Sequence, residues 1–223
     1  MTLPSEIQAF VDDATVRLKA AGVKIDLQDV DRLEYQPGMF CSGYFDDDIE
    51  GEVVFAVAVG RPWEKWFPIF VHEFCHFEQW SDDREAWEGF KHGDQEPVDI
   101  AIEYYKGERD DIDDETAKQY CLESVRWEHD CEKRVLKKIE ELGLPLDPKG
   151  YAKKANSYVT YYYAMPTLRG WCNGERPYEV KEIMAEMPDH MNLTDEEYFA
   201  LADRVMSHYR SRCLHEPRVP KKP

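Results

Sequence analysis

The chain is short of positive charge. Its 28 Lys and Arg residues face 46 Asp and Glu residues, giving a net charge of −18 and a pI near 4.8. That balance argues against non-specific binding to nucleic acid or to an anionic membrane, and it favours basic peptide segments as partners. No run of 18 apolar residues exists, so no membrane-spanning helix is expected. The N-terminus, Met1-Thr2-Leu3-Pro4-Ser5-Glu6, lacks the basic start and apolar stretch of a secretory leader. None of the six cysteines (Cys41, Cys75, Cys121, Cys131, Cys172, Cys213) forms a CxxC pair, so they read as reduced, buried thiols in a cytoplasmic protein, and a thiolate zinc site is not expected.

What is present is a globular composition, 43% hydrophobic and 13% aromatic over 223 residues. It predicts a single domain over residues 1–216 with a loose tail at 217–223. Within it lies His72-Glu73-Phe74-Cys75-His76, an HExxH pattern. On a helix, positions i and i+4 share a face, so two imidazoles can reach one ion, and the glutamate beside them can hold and deprotonate a water. The surrounding residues Ile69, Phe70, Val71, Phe74, Phe77 and Trp80 are apolar. Two histidines and a glutamate in such a helix need partners, because an unpaired buried polar group costs about 1–3 kcal/mol. Zinc is the expected cofactor.

The rest of the pattern predicts an α+β, mainly helical protein with a small N-terminal sheet. Ser5 and Gln8 read as a capping box before a helix stopped by Gly22. Strands are expected at Asp31–Tyr35, Cys41–Phe45 and Glu52–Gly60, with a turn at Pro37-Gly38 and an acidic turn from Asp46 to Gly51. Phe67-Pro68 reads as the start of the motif helix. Further helices are expected at Pro97–Lys106, from Asp113 or Asp114 to Leu142, at Tyr151–Met165, and from a Thr194/Glu197 capping box to about Arg212. The segment from Thr167 to Pro188 reads as irregular.

Two histidines leave a third protein ligand to find. Asp82 and His92 are candidates, although Gln79 and Asp82 break the metzincin extension, which needs Gly and His there. On the long helix, Val125, Glu128, Glu132, Val135, Ile139 and Leu142 recur at steps of three and four. That stripe is apolar except for its two glutamates. Their alternative reading is a marginal position, paired with Arg126 or Lys133.

These residues resemble the gluzincin branch of zinc metallopeptidases, in which a glutamate on a later helix completes the HExxH site. The resemblance implies that Glu128 is the ligand, that Cys131 is a small packing residue, and that Glu132 orients a ligand histidine, with Glu123 in reserve. Glu132 stands where the family pattern has Asp. The run from His72 to Trp80, together with Tyr151-Ala152-Lys153-Lys154-Ala155-Asn156-Ser157-Tyr158, is also similar to small phage-encoded proteins assigned as metallopeptidases. The implied activity is hydrolysis of peptide bonds by a zinc-activated water with Glu73 as general base. Tyr151, Tyr158 and Tyr162 share a helix face and Arg169 follows; Tyr158 is the candidate oxyanion donor, the other reading being that these tyrosines are core packing. Two other readings stay open at this level. One is an inactive zincin fold that keeps zinc. The other is an acidic interaction protein that mimics nucleic acid.

Overall fold

The computed structural model describes residues 3–36, 38–93 and 95–214. The expected Pro37-Gly38 turn lies partly, and the tail at 217–223 wholly, outside the described residues. Contacts divide the chain into two compact units, Met1–Glu88 with Cys131–Pro148 and Gly89–Asp130 with Lys149–Pro223. Neither unit is a continuous piece of sequence. Among the described residues no helix is long and apolar enough to cross a membrane.

The first unit opens with α1 (Ser5–Ala20), which buries Ile7, Phe10, Ala14 and Leu18 on one stripe. Pro4, not Ser5, is its N-cap, and no side chain caps it. The Gln8 N–H donates to the Pro4 carbonyl at 3.0 Å, so Ser5 is already helical and the expected capping box does not form. Five strands follow: β1 (Lys24–Gln28), β2 (Leu33–Gln36), β3 (Met39–Cys41), β4 (Gly43–Ile49) and β5 (Glu52–Ala58). β1 was not anticipated, and the acidic run Asp46–Asp48 lies in β4; the turn is confined to Glu50 and Gly51, both at positive φ.

The main sheet has the order β1-β5-β4, with β1 parallel and β4 antiparallel to β5; β2 and β3 form a separate ribbon. Central position explains why β5 is an unbroken apolar run. Val54, Ala56 and Ala58 face a cluster with Leu33, while Phe55 points the other way and meets Phe70 at 5.0 Å.

That second face is covered by α2 (Trp63–Asp82), the motif helix. Phe10 of α1 packs edge-on against Phe67 at 5.7 Å and Phe74 at 5.6 Å. The helix begins after Pro62, earlier than expected, and carries Pro68 inside it. Pro68 forfeits one internal hydrogen bond. Buried Trp66, Phe67 and Phe70 on the same helix hold the turn in place. A short α3 (Arg84–Phe90), also unanticipated, follows.

The second unit contains α4 (Pro97–Lys106), which ends at the left-handed Gly107 as expected. It also holds the first part of α5 (Asp114–Glu141), whose start is capped by the Asp113 carboxylate accepting from the Thr116 N–H at 2.8 Å. The second part of α5 belongs to the first unit. Of the expected stripe, Val125, Glu132, Val135 and Ile139 are buried, Glu128 is half-buried and Leu142 is exposed. α6 (Pro148–Leu168) runs through Pro166 rather than stopping before it. The stretch expected to be irregular holds a 3-10 turn at Pro177–Glu179 and α7 (Lys181–Glu186). α8 (Asp195–His208) carries the expected reciprocal cap: Thr194 Oγ1 accepts from the Glu197 N–H, and Glu197 Oε2 accepts from the Thr194 N–H. It passes into a π-helical turn at Tyr209–Cys213. The fold is thus mainly helical, with a small N-terminal sheet, an HExxH helix and a later glutamate-bearing helix.

Candidate metal centre

The helical repeat of α2 places His72 and His76 one turn apart, with their rings edge to face at 4.7 Å and their Nε2 atoms 3.1 Å from each other. The other nitrogen of each ring is held. His76 Nδ1 lies 2.9 Å from Oε1 of Gln79, and a carbonyl oxygen only accepts, so Nδ1 carries the proton and Nε2 keeps its lone pair. His72 Nδ1 lies 3.4 Å from Oε1 of Glu132, an ion-pair distance. The same nitrogen has the Cys131 sulfur 3.7 Å away, and the Cys131 thiol donates to the His72 carbonyl at 3.4 Å.

Donor atoms of His72, His76 and Cys131 all lie within 4.8 Å of one another, a cluster able to hold a metal ion. The donor set fits zinc. Two bonds of about 2.0–2.1 Å at a tetrahedral angle put the nitrogens about 3.3 Å apart. The observed Nε2 pair is 3.1 Å apart. Carboxylate and amide partners on the far nitrogens are what fix tautomer and ring orientation at histidine metal sites. His76 is also in its ligating form: burial, and then the neighbouring His72, push it down to about 3, against an opposing contribution from Gln79.

Glu73 is buried on the strand side of α2. A Cβ built on Gly43 of β4 would lie 3.2 Å from Cγ of Glu73 and 2.8 Å from Cγ2 of Ile69. The Cys41 thiol is pushed up by burial and then by the Glu73 charge. The strand next to the motif is also an open one. β5 has a neighbour on both sides and has no free edge, whereas β4 pairs on one side only within its sheet. Among the described residues, β4 therefore presents an open edge and β5 does not.

The remaining expected residues are placed as follows. Glu132 stands at the His72 ring, where an orienting carboxylate is expected. Asp82 is bound to Arg134 at 2.8 Å and is exposed. His92 and Glu123, both reserves, face each other at 3.4 Å in the second unit. Glu128 also lies in the second unit, half-buried, and its charge contributes, after burial and Tyr158, to holding the Tyr162 hydroxyl well above the usual tyrosine range. The Tyr158 and Tyr162 hydroxyls are 3.3 Å apart, and Arg169 is tied to Asp114 at 2.7 Å.

Two residues were not anticipated at the site. Gln79 had a sequence signal, since it lies at i+3 from His76 on the same helix face. Cys131, read as packing, brings a sulfur to the cluster from 59 residues beyond His72, and no local pattern announces that. No family model, no curated protein and no solved structure matches the chain.

Proposed function

We propose that the chain is a gluzincin-like zinc metallopeptidase acting in the cytoplasm. The observation that carries this reading is the pair of Nε2 atoms facing each other at 3.1 Å, with both Nδ1 atoms engaged by Gln79 and Glu132. Two lone pairs at that distance repel unless a cation or proton lies between them. Bound there, zinc would supply Lewis acidity toward a peptide carbonyl and acidify a water. His72 and His76 hold the ion, and Glu132 orients the His72 ring. Glu73 takes a proton from the attacking water and returns it to the leaving nitrogen. Tyr158 donates to the developing oxyanion. An extended substrate adds along the β4 edge through main-chain hydrogen bonds, and basic segments are drawn by the net charge of −18. The resemblance assigns the third ligand to Glu128; the position of Cys131 makes its thiol the competing assignment.

Metal content and hydrolysis of an unstructured basic polypeptide test this together. The parent should hold about one zinc, and His72→Ala and His76→Ala should lose it. Glu73→Gln should keep the zinc and lose turnover by about a hundredfold or more. Hydrolysis surviving in Glu73→Gln would sink the assigned mechanism. Loss of zinc in Glu128→Ala with retention in Cys131→Ser supports the gluzincin ligand set.

The Cys131 sulfur supports one second reading, a zinc-holding protein without turnover. It predicts the reverse pattern, with zinc lost in Cys131→Ser and no hydrolysis by the parent.

A further inference from the structure

Away from the metal cluster, and independently of the reading above, the second unit brings two more thiols together. Cys172 lies after α6 and Cys213 ends the π-helical turn. Three backbone hydrogen bonds tie their segments: Asn173 N–H to the Cys213 carbonyl at 3.1 Å, Gly174 N–H to the same carbonyl at 2.9 Å, and Glu175 N–H to the Arg212 carbonyl at 2.9 Å. The Arg212 guanidinium adds a fork of two bonds to the Glu175 carboxylate, at 2.8 and 2.7 Å. A Cβ on Gly174 would strike the Arg212 carbonyl, so glycine is what lets the two segments approach this closely. The Cys172 sulfur donates to the Glu175 carbonyl at 3.2 Å. Both cysteines are reduced and buried.

A disulfide needs Cα atoms roughly 4.4–6.8 Å apart. The Asn173 N–H to Cys213 carbonyl bond at 3.1 Å joins the two segments at the cysteines themselves, the close approach that such a bridge requires. We propose that Cys172 and Cys213 form a redox-active dithiol that hydrogen peroxide converts reversibly to an internal disulfide. The Cys213 hydrogen bond, and then the Arg176 cation, push Cys172 down to about 7, while Cys213 is pushed up. The roles follow from that asymmetry: Cys172 is the attacking thiolate and Cys213 the resolving thiol.

The chemistry balances with peroxide as oxidant. Cys172 ionises and releases its proton to solvent; the thiolate attacks one peroxide oxygen, the O–O bond breaks, and the departing hydroxide takes up a proton from solvent and leaves as water. The sulfenic sulfur is then attacked by Cys213, the S–O bond breaks, and a second water leaves with the Cys213 proton. Two electrons pass from the two sulfurs to the peroxide. A peroxide is small enough for a pair of this burial, which disfavours bulky disulfide oxidants.

The test is peroxide treatment of the reduced full chain, followed by thiol counting, intact mass and peptide mapping. The expected result is six free thiols falling to four, a mass loss of about 2 Da, one cross-linked peptide joining Cys172 to Cys213, and full reversal by a dithiol reductant. In Cys213→Ser the sulfenic acid on Cys172 should persist and be trapped by a carbon nucleophile such as a cyclic diketone. Oxidation confined to half-buried Cys41, a cross-link between other cysteines, or no reaction at Cys172 overturns the proposal. The map of the parent chain decides even if the variant does not fold.

Discussion

The two units bury polar groups of different kinds. Among the described residues, the buried polar side chains of the first unit are Glu73, Glu78, Gln79 and Glu132, while those of the second are Ser124, Asn156, Ser157 and Thr160. Three carboxylates stand against four neutral groups. A buried carboxylate is costly unless something positive meets it, whereas a hydroxyl or amide needs only a hydrogen bond. Glu78 has an ordinary explanation, because Arg17 and Lys138 close on it at 2.9 and 2.7 Å. The other two carboxylates flank the histidine pair. In the second unit Asn156 illustrates the neutral solution. Its amide donates to the carbonyls of Pro188 and His190 at 2.9 and 2.8 Å, and it accepts from the Tyr198 hydroxyl at 2.7 Å. The contrast teaches that charge is buried beside basic side chains or the histidine pair, and that neutral networks serve where no such partner is at hand.

Three measurements would break or sharpen that contrast. The largest effect is expected at Lys138→Met, which leaves Glu78 with Arg17 alone. Urea unfolding should show a loss of about 3 kcal/mol, with recovery when Glu78→Met is added, since an apolar pair removes the buried charge altogether. No recovery would mean that the carboxylate is tolerated for another reason. Next comes Asn156→Ala, which strands two carbonyls and leaves the Tyr198 hydroxyl with His129 at 3.1 Å in place of two partners, and should cost about 2 kcal/mol by the same measurement. A loss below half of that would show the second unit's network to be loose. The smallest is a pH effect at His76. Its folded pKa lies below the unfolded value of 6.5, so the unfolded chain binds the proton more readily. Stability is therefore complete well above pH 6.5 and falls as pH drops toward 3, by about 1.4 kcal/mol at pH 5.5 in the metal-free protein. His76→Gln should flatten that part of the curve, and an unchanged slope would remove His76 as its source.

Much of this was legible because it is local. The i,i+4 spacing found the histidine pair, the reciprocal cap at Thr194 and Glu197 fixed the start of α8, and Gly107 closed α4. The failures have physical causes too. Lys24–Gln28 has no buried residue to mark it as a strand, and its conformation comes from parallel pairing with β5, 30 residues away at Lys24↔Val54. Pro68 and Pro166 were read as boundaries, yet both lie inside helices whose neighbouring side chains are buried enough to hold the backbone straight through. At the site, Gln79 could have been found from its position on α2. Cys131 could not, because its approach to His72 depends on how two distant parts of the first unit's sequence dock.

The contact between Gly43 and α2 has a genetic consequence. Every single-base missense change of a glycine codon brings in a residue with a Cβ, and at position 43 that atom meets Ile69, Glu73 and the Ala56 carbonyl within 3.2 Å. The codon therefore has no mild exit. In a saturation-mutagenesis library selected for the folded chain, this column should be nearly empty while the neighbouring strand positions still vary, and it would mark from survival counts alone where a strand runs beneath the motif.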